Sequence, residues 1–153
     1  MTRNTEVVED DAGRTTAYHR HPNGGGLLGP GAQAEEDSFI GATTYVEAGA
    51  CIGSACRIGR GDWIDRSARI GDHVFIGDNV YVGRGTIVGN RVHIARHSRI
   101  GAGVRIGHGT RLPADSVVPD GTDIADAGPS QGALARKRKS QAQGKGPDSL
   151  MAA

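Results

Sequence analysis

From Leu28 to Ile124 an aliphatic residue returns at every sixth position without one insertion: Leu28, Ala34, Ile40, Val46, Ile52, Ile58, Ile64, Ile70, Ile76, Val82, Val88, Ile94, Ile100, Ile106, Leu112, Val118 and Ile124. Two residues before most of these stands a small side chain, as at Ser38, Thr44, Ala50, Cys56, Ala68, Thr86, Ser98 and Thr110. Residues two apart on a strand share a face, so each hexad predicts a short strand with both members of the pair turned inward. The residue after the aliphatic one is Gly in ten of the seventeen hexads, which suits a chain that must leave the strand and turn sharply. Short strand, turn, short strand, with no helix between, predicts an all-β fold: a parallel β-helix of hexapeptides.

Composition narrows the core. Twenty-five glycines stand against six aromatic residues, so a conventional interior of large interlocking side chains is not expected. The formal charge of +1 gives no global pull toward nucleic acid or membrane. The polar, acidic start MTRNTEVVEDD has no apolar signal-like stretch, and no run of eighteen apolar residues occurs, so the expectation is a cytoplasmic protein that does not enter membranes. Three segments follow. Residues 1–26 read as an irregular lead-in and cap, 27–126 as the β-helix, and 127–153 as a polar tail in which a short helix near Gly132 to Ser140 is followed by disorder. The tail's run Arg136 to Lys139 is expected to be solvated. Cys51 faces outward and Cys56 inward in the repeat, so no bond between them is expected.

The hexad pattern resembles the bacterial hexapeptide-repeat transferase superfamily. That resemblance implies a single-stranded left-handed parallel β-helix with three hexads per coil, five to six coils here, and assembly as a homotrimer. Seventeen hexads then make a prism of about 25 to 30 Å. With eighteen residues per coil, outward side chains fall into columns. On one face stand Leu27, Tyr45, Trp63, Tyr81, Arg99 and Val117. An exposed ladder of Tyr45, Trp63 and Tyr81 would be a costly apolar patch on a monomer, so this face is expected to be covered by another subunit. One inward position breaks the rule: Asp62, between Thr44 and Val80 in its column, needs partners or a proton. Thr44 with a backbone amide, nearby Arg60, or a locally deformed coil would each answer that need.

The resemblance also implies chemistry. Hexapeptide-repeat acyltransferases use a histidine as general base, taking a proton from an acceptor hydroxyl or amine as it attacks a thioester. Of the four histidines in the coils, His97 stacks between Asn79 and Asp115, and His108 between Asn90 and Asp126, so each has a carboxylate one rung away that could hold its tautomer. His73 lies beside Arg91, and His93 beside Phe75 and Arg111, surroundings that disfavour an imidazolium. The stretch VHIARHSRIG is similar to the catalytic segment of UDP-N-acetylglucosamine acyltransferases, His-Ile-Ala-His followed by an acid, with Arg96 in the place of that histidine and His97 one residue later.

The expected activity is transfer of an acetyl or longer acyl group from a CoA or acyl-carrier-protein thioester to a small sugar-like or amine acceptor. His97, Asp115, Asn79 and His108 are its candidate residues, and no cofactor is bound tightly. Arg57, Arg69, Arg105 and Arg111 are available for phosphates without one being singled out. The alternatives are a non-catalytic trimeric scaffold, supported by the lack of any loop inserted between coils, and a γ-class carbonic anhydrase-like metal enzyme. GRGDW contains that class's Arg-Gly-Asp, but Ala34 to Ser130 holds no glutamine and no two histidines five apart, so no metal is expected.

Overall fold

Each hexad of the chain builds one two-residue strand, and its neighbours in the sheet are the strands three hexads away. The structure, a computed structural model, describes residues 5–9, 13 and 15–127. The first face is built from β3 (Leu27–Leu28), β6 (Tyr45–Val46), β9 (Trp63–Ile64), β12 (Tyr81–Val82), β15 (Arg99–Ile100) and β18 (Val117–Val118). The second holds β4 (Gln33–Ala34), β7 (Cys51–Ile52), β10 (Arg69–Ile70), β13 (Ile87–Val88), β16 (Arg105–Ile106) and β19 (Asp123–Ile124). The third holds β5 (Phe39–Ile40), β8 (Arg57–Ile58), β11 (Phe75–Ile76), β14 (His93–Ile94) and β17 (Arg111–Leu112). Every rung is parallel and pairs residues eighteen apart, as Tyr45 with Trp63, Cys51 with Arg69, and Phe75 with His93. The architecture is the all-β hexapeptide solenoid, about five turns from Leu28 to Val118, consistent with left-handed winding.

The aliphatic residue of each hexad fills the axis of the prism. Ile40, Ile58, Ile64, Ile76, Ile94 and Ile100 are wholly buried. The other inward position is small for a reason beyond space. Ser38 donates its hydroxyl to the Gly53 carbonyl at 2.6 Å and accepts the Cys56 N–H at 2.9 Å. Thr86 does the same with the Gly101 carbonyl at 2.7 Å and the Val104 N–H at 3.2 Å. A hydroxyl can donate and accept at once, so it slots into the turn of the next coil and satisfies two buried backbone groups. Cys56 is buried and donates its thiol to the Gly71 carbonyl at 3.0 Å, while Cys51 is half-buried; both are free.

The turns separate two roles for glycine. The residue three after most of the aliphatic ones takes left-handed backbone, at Gly85 and Gly103 but also at Ala55, Ser67, His73, Asn79, Arg91, His97 and Asp115. The glycines directly after the aliphatic residue have no positive φ, so turning is not what requires them. Close approach is: a Cβ on Gly77 would lie 2.7 Å from the Arg96 nitrogen of the next coil.

Where the sequence has no period, the chain forms a regular element instead of an irregular lead-in. β1 (Thr5–Glu9) and β2 (Thr15–Arg20) make an antiparallel hairpin, and β2 pairs antiparallel with β3 through His19 and Leu28. The hairpin therefore covers the open N-terminal edge of the first face. Tyr18 on β2 donates to Glu47 Oε1 at 2.8 Å and meets the Tyr45 ring edge-on with centroids 5.2 Å apart. The expected tail helix near 132–140 lies outside the described residues. Among the described residues no helix is long and apolar enough to cross a membrane.

Candidate functional site

His97, Asn79 and Asp115 share one corner of the prism, the one leading from the third face to the first. All three have φ near +60°, respectively 60°, 58° and 63°. Asn, Asp and His tolerate this conformation better than most residues, which is a local reason for finding them there. The corner rungs are tied by backbone: His97 N–H to the Asp78 carbonyl at 2.9 Å, and Asp115 N–H to the Arg96 carbonyl at 3.0 Å. This stacking brings His97 Nδ1 to 3.8 Å from Asp115 Oδ1, with the side chains 51% and 78% exposed. That separation is electrostatic contact, longer than a hydrogen bond. A carboxylate facing Nδ1 favours the proton on Nδ1 and leaves the Nε2 lone pair toward solvent.

His108 stands on a different corner, between the second and third faces, so the structure does not bring the two histidines together within one chain. Its partners also differ from the expected ones. Asn90 N–H donates to His108 Nδ1 at 2.7 Å, and Asp126 Oδ1 accepts the backbone N–H of His108 at 2.8 Å. Asp126 thus holds the main chain and not the ring. With Nδ1 accepting, the neutral imidazole carries its proton on Nε2 and presents a donor to solvent. The reason is a corner ladder in which side chains reach back to the preceding coil's amides: Asp72 Oδ1 accepts from Ser54 N–H, and Asn90 Oδ1 from Asp72 N–H, each at 2.9 Å.

The two remaining coil histidines have separate roles. The His93 ring stacks on Phe75 with centroids 4.5 Å apart, and burial, helped by the Arg111 charge, pushes its pKa down. His73 occupies a left-handed corner position. Sequence columns also missed a shallow groove on the second face, lined by Cys51, Arg69, Ile87 and His108. Its sequence signal is the glycine column Gly53, Gly71 and Gly89, which also lines it and leaves a furrow where side chains would project.

The aromatic column of the first face is partly covered by its own chain. Tyr45 lies between Tyr18 and Trp63, the Trp63 centroid 5.7 Å away. Tyr81 donates to Asp65 Oδ2 at 2.7 Å, and the Arg99 guanidinium lies 5.8 Å from its ring centroid. Trp63 is the member left open, 45% exposed.

Parallel rungs at an eighteen-residue repeat, an aliphatic axis and glycine-relieved corners define a hexapeptide-repeat β-helix protein. Residues 67–102 match the family model described as bacterial transferase hexapeptide (six repeats), and the chain carries that repeat. Comparison with curated proteins gave no match. Among solved structures it is similar to a candidate acetyltransferase of Bacillus cereus, at 20% identity and a TM-score of 0.48 over 62% of this chain and 69% of that one. It is also similar to the acetyltransferase domain of PglB from Neisseria gonorrhoeae in complex with acetyl coenzyme A, at 20% identity and a TM-score of 0.34 over 70% of this chain and 56% of that one. A third is the UDP-N-acetylglucosamine acyltransferase of Francisella novicida, at 16% identity and a TM-score of 0.31 over 66% of this chain and 52% of that one. The chain therefore spans little more than half the length of the last two. At these identities and scores no substrate passes from those proteins to this chain.

Proposed function

We propose that the protein is an acyltransferase that moves an acetyl or longer acyl group from a CoA or carrier-protein thioester to a sugar-like or amine acceptor. The observation that carries the reading is the His97–Asp115 contact of 3.8 Å on an exposed corner, in a chain bearing the transferase repeat. In this reading His97 Nε2 takes the proton of the acceptor hydroxyl or amine as its oxygen or nitrogen attacks the thioester carbonyl. The new C–O or C–N bond forms, the C–S bond breaks, and the proton passes from the imidazolium to the leaving thiolate. Asp115 steadies the imidazolium, and Asn79 flanks it one rung away. His108, as an Nε2–H donor, suits a thioester or phosphate oxygen better than it suits proton abstraction. Arg69, which lines the same groove as His108, supplies a cation for a phosphate.

The site is proposed to be completed by assembly. His97 sits on the corner that runs directly into the first face, so a homotrimer joined through Tyr45, Trp63 and Tyr81 would place His97 at a subunit boundary. Calorimetry with acetyl-CoA is expected to give saturable heat, and His97→Ala to lower the transfer rate at least about 100-fold while the chain still folds. No heat with any of several acyl-CoAs, together with an unaffected His97→Ala variant, would reject the reading. One observation favours a second reading, a rigid scaffold: φ of 60° already accounts for a histidine at this corner without chemistry. That alternative anticipates a bound protein partner and no coenzyme affinity.

A further inference from the structure

Three inward hydroxyls obey a rule. Ser38, Thr44 and Thr86 each accept the N–H of the residue eighteen positions on and donate to the carbonyl fifteen positions on. Ser38 does so with Cys56 and Gly53, Thr44 with Asp62 and Gly59, and Thr86 with Val104 and Gly101. Ser98 divides its donation between the carbonyls fifteen on and three back, and Thr110, nearer the C-terminal end, donates three back to Gly107. Cys56 keeps the donating half, to Gly71, fifteen positions on. Asp62 occupies the same position, 1% exposed, in a coil that is not deformed: Trp63 pairs in register with Tyr45 below and Tyr81 above, and Gly61 has the ordinary corner φ of 69°. Its Oδ1 accepts the Val80 N–H, eighteen positions on, at 2.7 Å. Its Oδ2 is buried without a partner. The carbonyl fifteen positions on is that of Gly77, which accepts no hydrogen bond from the described residues.

An ionised Asp62 offers only acceptors and would set Oδ2 against a carbonyl. A neutral carboxylic acid has one acceptor and one donor, the pair the repeat requires. We infer that Asp62 is held as the neutral acid and takes the place of a serine or threonine in the ladder, donating Oδ2–H to the Gly77 carbonyl. The folded chain thus carries one proton, absent from the unfolded chain at neutral pH, as part of its inter-coil bonding.

The surroundings agree. The position eighteen before Asp62 is the buried Thr44 and the one eighteen after is the buried Val80, and the hydrophobic core that runs along the prism is aliphatic apart from the Cys56 thiol. No ion pair to Arg60 forms among the described residues. Burial raises the pKa to about 8, the Asp78 charge adding to this and the Val80 and Gly59 backbone groups opposing it. A folded pKa above the unfolded value means stability is full below the unfolded pKa near 3.8 and is lost as pH rises, the loss ending once the folded pKa near 8 is passed.

The test uses the full chain. Urea unfolding at several pH values between about 5 and 7 should give a wild-type unfolding constant that rises, relative to Asp62→Asn, by up to about tenfold per pH unit. The amide keeps both an acceptor and a donor, so Asp62→Asn should fold and lack this component. Independently of any variant, the carbon-13 shift of the Asp62 carboxyl should stay at its protonated value across the same range. A flat ratio between the two proteins, or a carboxyl that has already titrated by about pH 5, overturns the inference.

Discussion

Gly77 and Gly85 look alike in the sequence, and the structure requires them for different reasons, which makes Gly77→Ala and Gly85→Ala a paired test. A Cβ on Gly77 would stand 2.7 Å from the Arg96 nitrogen and 3.1 Å from its Cα, both main-chain atoms, where ordinary contact begins at 3.4 Å. Relief needs the two coils to part by about 0.7 Å, the difference of those figures. Three inter-coil bonds straddle the site: Phe75 N–H to Val92 at 2.9 Å, Gly77 N–H to Ile94 at 2.8 Å, and His97 N–H to Asp78 at 2.9 Å. Stretched by that much, each leaves the hydrogen-bond range. At about 1 kcal/mol or more apiece the cost is about 3 kcal/mol or above. At Gly85 nothing lies within 4 Å of the added Cβ, and only φ of +69° opposes it. Left-handed backbone costs about 1–2 kcal/mol, offset by about 0.4–1 kcal/mol of lost unfolded-chain entropy, so the net loss is at most about 1.6 kcal/mol, well below that at Gly77. Ala55 already occupies the equivalent place at φ 58°. Urea titration followed by the fluorescence of Trp63, the chain's one tryptophan, measures both variants. Equal losses, or an unaffected Gly77→Ala, would refute the division of glycine roles.

Tyr18→Phe removes the recorded partner of Glu47 and should cost about 1–3 kcal/mol in a urea titration, since both side chains are buried. Burial raises the Glu47 pKa and the Tyr18 bond lowers it, so losing Tyr18 makes the ionised carboxylate dearer, and the deficit should widen as pH rises. Trp63→Arg should convert a sedimenting trimer into monomer if the first face is the subunit contact; a wild-type chain that sediments as a monomer at micromolar concentration ends that expectation.

The fold was legible because one periodicity carries it. A residue repeated every six places, with seventeen repeats and no slip, determines which side chains point inward and which stack, and every column drawn at eighteen residues is a rung of the structure. The hairpin of residues 5–20 was not legible, because its pairing occurs once and leaves no period. At the corners, sequence columns placed His97 beside Asp115 but could not tell that Asp126 would grip the His108 amide instead of its ring. Column arithmetic locates neighbouring residues and is silent on whether a side chain reaches sideways or back to the main chain below. The period-six recurrence of Gly49, Gly61, Gly85, Gly103, Gly109 and Gly121 was the available signal for left-handed corners, and hence a local reason for Asn79, His97 and Asp115 to stand there.

Along the corner where Gly85, Gly103 and Gly121 succeed one another, an added atom would meet nothing. Extra chain spliced there would project into open solvent while the rungs on either side kept their spacing, because the axis of aliphatic side chains never passes through that edge. The prism can therefore acquire new recognition segments at this edge without redesigning its interior, and changes of specificity in such a scaffold can be gained by insertion as readily as by substitution.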